Sequence, residues 1–184
     1  MTATFAAEKG HLARLLTACI RCAYFLSRSD AKLPWPLTSA VLRNERRNEA
    51  FFETLSAFNE RFAKLQDLLA ATMRHTALLL AEPADEFLKV LAYFEKRGVI
   101  DSAERWQLLR LARNQAAHEY DIDSEALAEH FNLLHELTAE LLIATLRLMT
   151  LCRDRLAILP GEEDFAAELA RIGAVLDVSH SATK

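Results

Sequence analysis

The run Phe51-Phe52-Glu53-Thr54-Leu55-Ser56-Ala57-Phe58-Asn59-Glu60-Arg61-Phe62-Ala63-Lys64-Leu65-Gln66-Asp67-Leu68-Leu69 decides the fold class. Its apolar residues Phe51, Leu55, Phe58, Phe62, Leu65 and Leu69 recur at spacings of 4, 3, 4, 3 and 4. An α-helix closes a turn every 3.6 residues, so all six lie on one face. A half-buried strand would alternate every second residue instead. This spacing makes a seam for packing along a near-parallel or antiparallel neighbour. Upstream, Thr38 is a suitable N-cap. Downstream, the pattern runs to Leu80. The spacing therefore predicts a helix over 38–80, about 60 Å long if unbroken and with room for a bend.

The same period recurs on both sides of that run. Leu12, Leu15, Leu16, Cys19, Ala23 and Leu26 form the apolar stripe of a first helix over about 6–27. The stretch Ser29 to Pro36, with Trp35 between two prolines, breaks it, and Trp35 is expected to pack onto the bundle. Pro83 opens a further helix with Phe87, Val90, Leu91 and Phe94 inward, and Gly98 after two basic residues ends it. A helix follows from Asp101, its expected N-cap, with Glu104 at capping-box spacing and Leu108, Leu109, Ala112 and Ala116 on one side. Ser124 to Leu156 carries a second long seam of Leu127, Phe131, Leu134, Leu141 and Leu148. Pro160-Gly161 closes it, and a short helix over 162–176 precedes a frayed tail, 179–184. The expected architecture is an all-α helical bundle, one domain over 1–184. Two long antiparallel helices form its frame, with the helix after Asp101 beside them.

Composition agrees with this reading. Among 184 residues there are only 4 glycines and 4 prolines, too few for a fold built on many turns. A net charge of −4 gives no global signal for nucleic acid, so any RNA contact must be a local basic patch. Arg43, Arg46 and Arg47 form one such cluster, although Glu45 and Glu49 interleave it as on an ordinary solvated face. No apolar run reaches the roughly 20 residues of a membrane span, and no targeting signal opens the chain. A soluble, cytoplasmic protein is the expectation. Cys19, Cys22 and Cys152 are an odd set, expected to be buried free thiols. Neither they nor the histidines make a metal-ligand pattern. Glu8 to His11 is the sole Glu-x-x-His spacing, so no metal and no cofactor is expected.

The stretch with chemistry in it is Arg113-Asn114-Gln115-Ala116-Ala117-His118-Glu119-Tyr120. It gathers a cation, an imidazole and a phenol where a helix ends ahead of Asp121-Ile122-Asp123-Ser124. On a continued helix Asn114 and His118 share a face, while Arg113 and His118 diverge by about 140°. Those two reach one ligand if the helix ends near His118 or if two copies of the motif meet. A guanidinium fork binds phosphate, and a histidine moves protons near neutral pH. That pairing suits phosphodiester chemistry without a metal. The structural alternative makes Arg113 a solvated helix residue, His118 a C-terminal residue favoured by the helix dipole, and Tyr120 a core anchor. Spacing alone favours that alternative, because short motifs match by chance.

The motif resembles that of the HEPN family, and more narrowly the HEPN toxins encoded with a minimal nucleotidyltransferase antitoxin. That group carries Arg-x4-His-x-Tyr with a polar residue after the arginine, matched here by Arg113, Asn114, His118 and Tyr120. The resemblance covers about residues 40–156. The N-terminal helix 6–27 and the C-terminal helix 162–176 stand as additions. It implies an endoribonuclease toxin that needs no metal and is active as a homodimer whose two motifs face one cleft. Arg113 would hold phosphate charge, His118 transfer protons and Asn114 orient the site. Apart from the resemblance, local basic charge makes Arg110, Arg43 and Arg47 candidates for contact with the RNA backbone. Tyr120 would accept AMP from the nucleotidyltransferase partner. The resemblance also admits a non-catalytic substrate-binding or regulatory subunit of a nucleotidyltransferase, and a plain helical scaffold remains a third possibility.

Overall fold

The computed structural model describes residues 2–115, 123–161 and 165–181, and every regular element among them is a helix. In chain order these are α1 (Thr2–Asp30), α2 (Ser39–Asn44), α3 (Glu49–Leu79), α4 (Phe87–Lys96), α5 (Ala103–Gln115), α6 (Ser124–Leu156) and α7 (Ala166–Ser181). The all-α bundle expected from the periodicity is present. No described helix is long and apolar enough to cross a membrane.

Three long helices make the frame. The seam Leu55, Phe58, Phe62, Leu65 and Leu69 is fully buried, and each such side chain contributes about 1.5–3 kcal/mol by leaving water. Leu12, Leu16, Cys19, Ile20, Ala23 and Leu26 of α1 face it in one core with Phe131, Leu134, Leu141 and Leu148 of α6. The helix directions follow from the contacts. Glu8 and Cys19 of α1 meet His75 and Thr72 of α3, while Ser29 meets Arg61. Asp30 meets His135 of α6, and Thr17 meets Gly161 beyond its end. Thus α1 is antiparallel to both partners. Phe58 lies by Phe131 and Thr76 by Cys152, so α3 and α6 run the same way. The long antiparallel pairings therefore both involve α1, and the two helices with the predicted seams are parallel to each other.

Several predicted boundaries move for identifiable reasons. The helix expected over 38–80 is broken between α2 and α3. Residues 43–49 are all polar and have nothing to bury. Asn48 instead caps α3, its carboxamide oxygen accepting from the Phe51 amide at 3.2 Å. Thr38 caps α2 as expected, accepting from Val41. Helix α4 begins at Phe87 and not at Pro83, with Asp85 and Glu86 ahead of it and both paired to Lys89. It ends in a Schellman turn, in which Gly98 takes φ 68° and the Gly98 and Val99 amides donate to Glu95 and Phe94. Ser102, not Asp101, caps α5, its hydroxyl accepting from the Arg105 amide at 3.0 Å. The Asp101 carboxylate is held instead by Arg147 of α6 at 2.8 Å. Helix α7 starts at Ala166 and runs to Ser181, past the 176 expected. Of the segment 162–165 expected to begin it, residues 162–164 lie outside the described residues.

The segment between α1 and α2 is tied to the bundle by aromatic and amide contacts. Trp35 stacks on His135 with centroids 4.3 Å apart, and its indole N–H donates to the Asp30 carbonyl. The Asn132 carboxamide both accepts from the Leu37 amide and donates to its carbonyl, at 2.8 and 2.9 Å. Burial raises the Asp30 carboxyl above its ordinary value, and the hydrogen bond with His135 works against that rise. All three cysteines are free. Burial pushes Cys19 up to about 12 and Cys22 and Cys152 up to about 11, so none is a thiolate at neutral pH.

His130 is buried on α6 with both ring nitrogens unpartnered among the described residues, and burial lowers its pKa. The unfolded chain then binds more protons than the folded one as pH falls below about 6.5. Stability from this group is complete above that value and is lost on acidification, by up to about 1.4 kcal/mol per pH unit. Asp30, raised on folding, contributes with the opposite sign between its ordinary value and the raised one. Chemical denaturation between pH 7.5 and 5 should show the wild-type midpoint falling. His130→Leu should flatten that dependence. An equal slope in both proteins would assign it to another group.

Candidate functional site

The residues of α5 divide among three surroundings. Trp106, Leu109 and Ala112 are buried. Arg105 reaches α6, where its guanidinium makes a two-point pair with Glu140. Arg110 and Arg113, three apart and so on one side, turn toward α3. Because α5 runs antiparallel to α3, Trp106, Arg110 and Arg113 lie along a stretch of α3 comprising Gln66, Asp67, Ala70, Ala71 and Arg74. Ala70 and Ala71 are too short to fill the gap between the helices. Phe87 at the start of α4 closes one side. The result is an open cleft of about 420 Å³.

The cleft is locally positive on a chain of net negative charge. Arg74, Arg110 and Arg113 stand against Asp67 alone among the lining residues. Arg113 Nη1 donates to Asp67 Oδ1 at 2.5 Å, and the other donors of its guanidinium fork make no ion pair among the described residues. Arg74 lies over the Phe87 ring, 5.6 Å from its centroid. The exposed Arg110 makes no ion pair among the described residues. The floor contains two polar side chains with unmet needs. Gln66 is 1% exposed, and among the described residues neither its amide oxygen nor its amide nitrogen has a hydrogen-bond partner. Trp106 is 2% exposed, and its indole N–H is also unpartnered among the described residues. Each such group costs about 1–3 kcal/mol when buried without a partner.

Of the residues singled out in the sequence, Arg113 and Arg110 come together in this cleft. Asn114 falls in the last turn of α5, with its side chain outside the described residues, and His118 and Tyr120 lie outside them altogether. Arg43 and Arg47 are exposed, but near the opposite end of α3. Residue 48 precedes Asp67 by 19 positions, about 28 Å along the helix axis. Among the described residues no group of three or more His, Cys, Asp or Glu side chains is placed to hold a metal ion. Sequence reading missed Gln66, Asp67, Arg74 and Trp106. Trp106, Arg110 and Arg113 do carry a legible 4–3 spacing, whereas their partners on α3 lie some forty residues away and leave no local signal. No protein-family model matches the chain, and no similar curated protein or solved structure is found.

The Asp67–Arg113 pair is open to water, so it adds under about 1 kcal/mol to stability. Its larger effect is to occupy one edge of Arg113. Asp67→Asn should leave the melting temperature nearly unchanged. It should raise affinity for a polyanion such as a single-stranded oligonucleotide several-fold and steepen the dependence of that affinity on salt. Unchanged affinity and slope would remove Arg113 from the anion-binding surface.

Proposed function

We propose that this protein is an endoribonuclease toxin of the HEPN type, acting as a cytoplasmic homodimer. In this reading a partner nucleotidyltransferase antitoxin silences it by adding AMP to Tyr120. The observation that carries the proposal is the sequence set Arg113-Asn114-x3-His118-x-Tyr120, whose arginine lies in the last turn of α5 in a positively charged cleft. No family comparison bears on it, so it stands on these residues and their chemistry.

Cleavage of RNA by its own 2′-hydroxyl needs a base for that hydroxyl, an acid for the leaving 5′-oxygen and a cation for the phosphorane. One chain contributes a single His118 and a single Arg113. A two-fold axis brings two of each to one cleft. One imidazole takes the proton of the 2′-hydroxyl as its oxygen bonds to phosphorus. The other imidazole, protonated, gives its proton to the 5′-oxygen as the P–O5′ bond breaks. The products are a 2′,3′-cyclic phosphate and a free 5′-hydroxyl. Arg113 holds the non-bridging oxygens, and Asn114 orients the site across the dimer. AMP on Tyr120 adds a bulky anion two residues from His118, which competes for the phosphate site.

A second reading, a non-catalytic HEPN-type subunit that holds a nucleotidyltransferase substrate, draws on the cleft itself. Its described lining offers cations and an amide but no histidine. The two readings separate on RNA incubated with the purified chain. Arg113→Ala and His118→Ala should each lower cleavage at least a hundredfold while the protein stays folded and dimeric, and EDTA should have no effect. Cleavage that persists in either variant, or that requires an added metal ion, would sink the nuclease mechanism. RNA bound but never cut would favour the second reading. With the partner and ATP, intact mass should show added AMP on the wild type and none on Tyr120→Phe, whose cleavage should then resist silencing. Equal modification of both proteins would place the acceptor elsewhere.

A further inference from the structure

The cleft between α3 and α5 holds more than phosphate ligands. Arg110 and Arg113 supply charge at its mouth, but anion binding alone gives no reason for an amide and an indole N–H to stand unpartnered beneath them. We infer that this cleft is a pyrimidine-nucleotide subsite, with Gln66 and Trp106 reading the base and Arg110 and Arg113 holding its phosphate. The inference deepens the reading of Arg113 as a phosphate ligand and rests on it, but it does not require that the bound strand be cut.

The donor and acceptor inventory carries the argument. Gln66 presents one acceptor oxygen and one donor nitrogen, and Trp106 adds a second donor. The complementary edge has two acceptors and one donor. Uracil has it, with O2 and O4 accepting and N3–H donating. Cytosine has it as well, with O2 and N3 accepting and N4–H donating. Guanine offers one acceptor and two donors on its pairing edge, and adenine one of each, so either purine leaves a group on one side unmet. Turning the Gln66 amide over exchanges the uracil and cytosine patterns, so the donor and acceptor count selects the pyrimidine class and not one member of it. All three polar atoms are buried in the ligand-free protein, so reading a base requires the Gln66 amide to turn about its broad terminal torsion as the ligand enters. Phe87, half-buried and tilted against Trp106 at 6.3 Å, forms the apolar wall a base ring needs. A volume of about 420 Å³ suits one nucleotide and not a longer segment.

The test uses the 184-residue chain carrying Trp35→Phe, which leaves Trp106 as its single tryptophan reporter. Its fluorescence is followed during titration with UMP, CMP, AMP, GMP, inorganic phosphate and a non-cleavable 2′-O-methyl oligouridine. The expected result is saturable binding of at least one pyrimidine monophosphate, about tenfold tighter than either purine monophosphate or phosphate. Gln66→Leu should erase the base preference and keep the phosphate-driven part. Arg110→Ala should weaken every ligand alike. Calorimetry on Trp106→Phe, which keeps the ring wall and removes the indole donor, gives a second readout and should also reduce the preference. Equal affinity for all four monophosphates, tighter purine binding, or an unchanged preference in both the Gln66→Leu and Trp106→Phe variants would overturn the subsite. Oligouridine binding tighter than UMP assigns the site to an RNA strand, and equal or weaker binding assigns it to a free nucleotide. Both results support a pyrimidine site. Pyrimidine binding without any RNA cleavage would keep this subsite and overturn the nuclease reading.

Discussion

Burial of one face of α3 between α1 and α6 is the constraint on which the other features depend. The aromatic and leucine seam from Leu55 to Leu69 has nowhere to go but inward, and α1 supplies the matching stripe. Once that face is buried, the helix has no rotational freedom left. Gln66, Asp67, Ala70 and Arg74 must then face α5. Below them, Thr72 and Thr76 return their hydroxyls to the carbonyls of Leu68 and Thr72, and they meet the thiols of Cys19 and Cys152. Polar atoms in the centre of the three-helix frame are thus satisfied, in contrast to those at the floor of the cleft. In that setting α1 is integral to the core.

The cleft is a consequence of side-chain size and charge placement on a rigid frame. The two alanines of α3 leave space, three arginines give that space a positive potential, and one aspartate holds Arg113 in place without consuming its whole fork. Apart from His130, the buried side-chain polar groups elsewhere among the described residues are satisfied, which makes the unpartnered amide and indole informative. A chain can carry such groups where a ligand completes them, and the energetic cost falls on the ligand-free state. The net charge of −4 keeps this positive surface local.

The helical class, the seam positions of α3 and α6 and the bounds Ser124–Leu156 were legible because each depends on period and local chemistry. The break between α2 and α3 was less so. Asn48 signals a cap, but only the absence of anything to bury across 43–49 makes the cap prevail over a continued helix. Asp101 and Ser102 are both good N-caps, and the choice between them was made by Arg147, 46 residues away. The parallel direction of α3 and α6 depends on α5 running back against both of them before α6 begins, which periodicity does not encode. At the candidate site, Arg110 and Arg113 could be named from the sequence. Their α3 partners could not, because pairing across helices leaves no mark in either one alone.

The central claim is that RNA is held in the α3–α5 cleft by its arginines. Ultraviolet crosslinking of a uridine-rich single-stranded RNA to the His118→Ala protein, followed by mass spectrometry of the crosslinked peptides, addresses it most directly. The account predicts crosslinks to peptides spanning 66–74 and 106–113, reduced by Arg110→Ala. Crosslinks confined to 43–47 or to α7, with the cleft peptides unmodified, would contradict it.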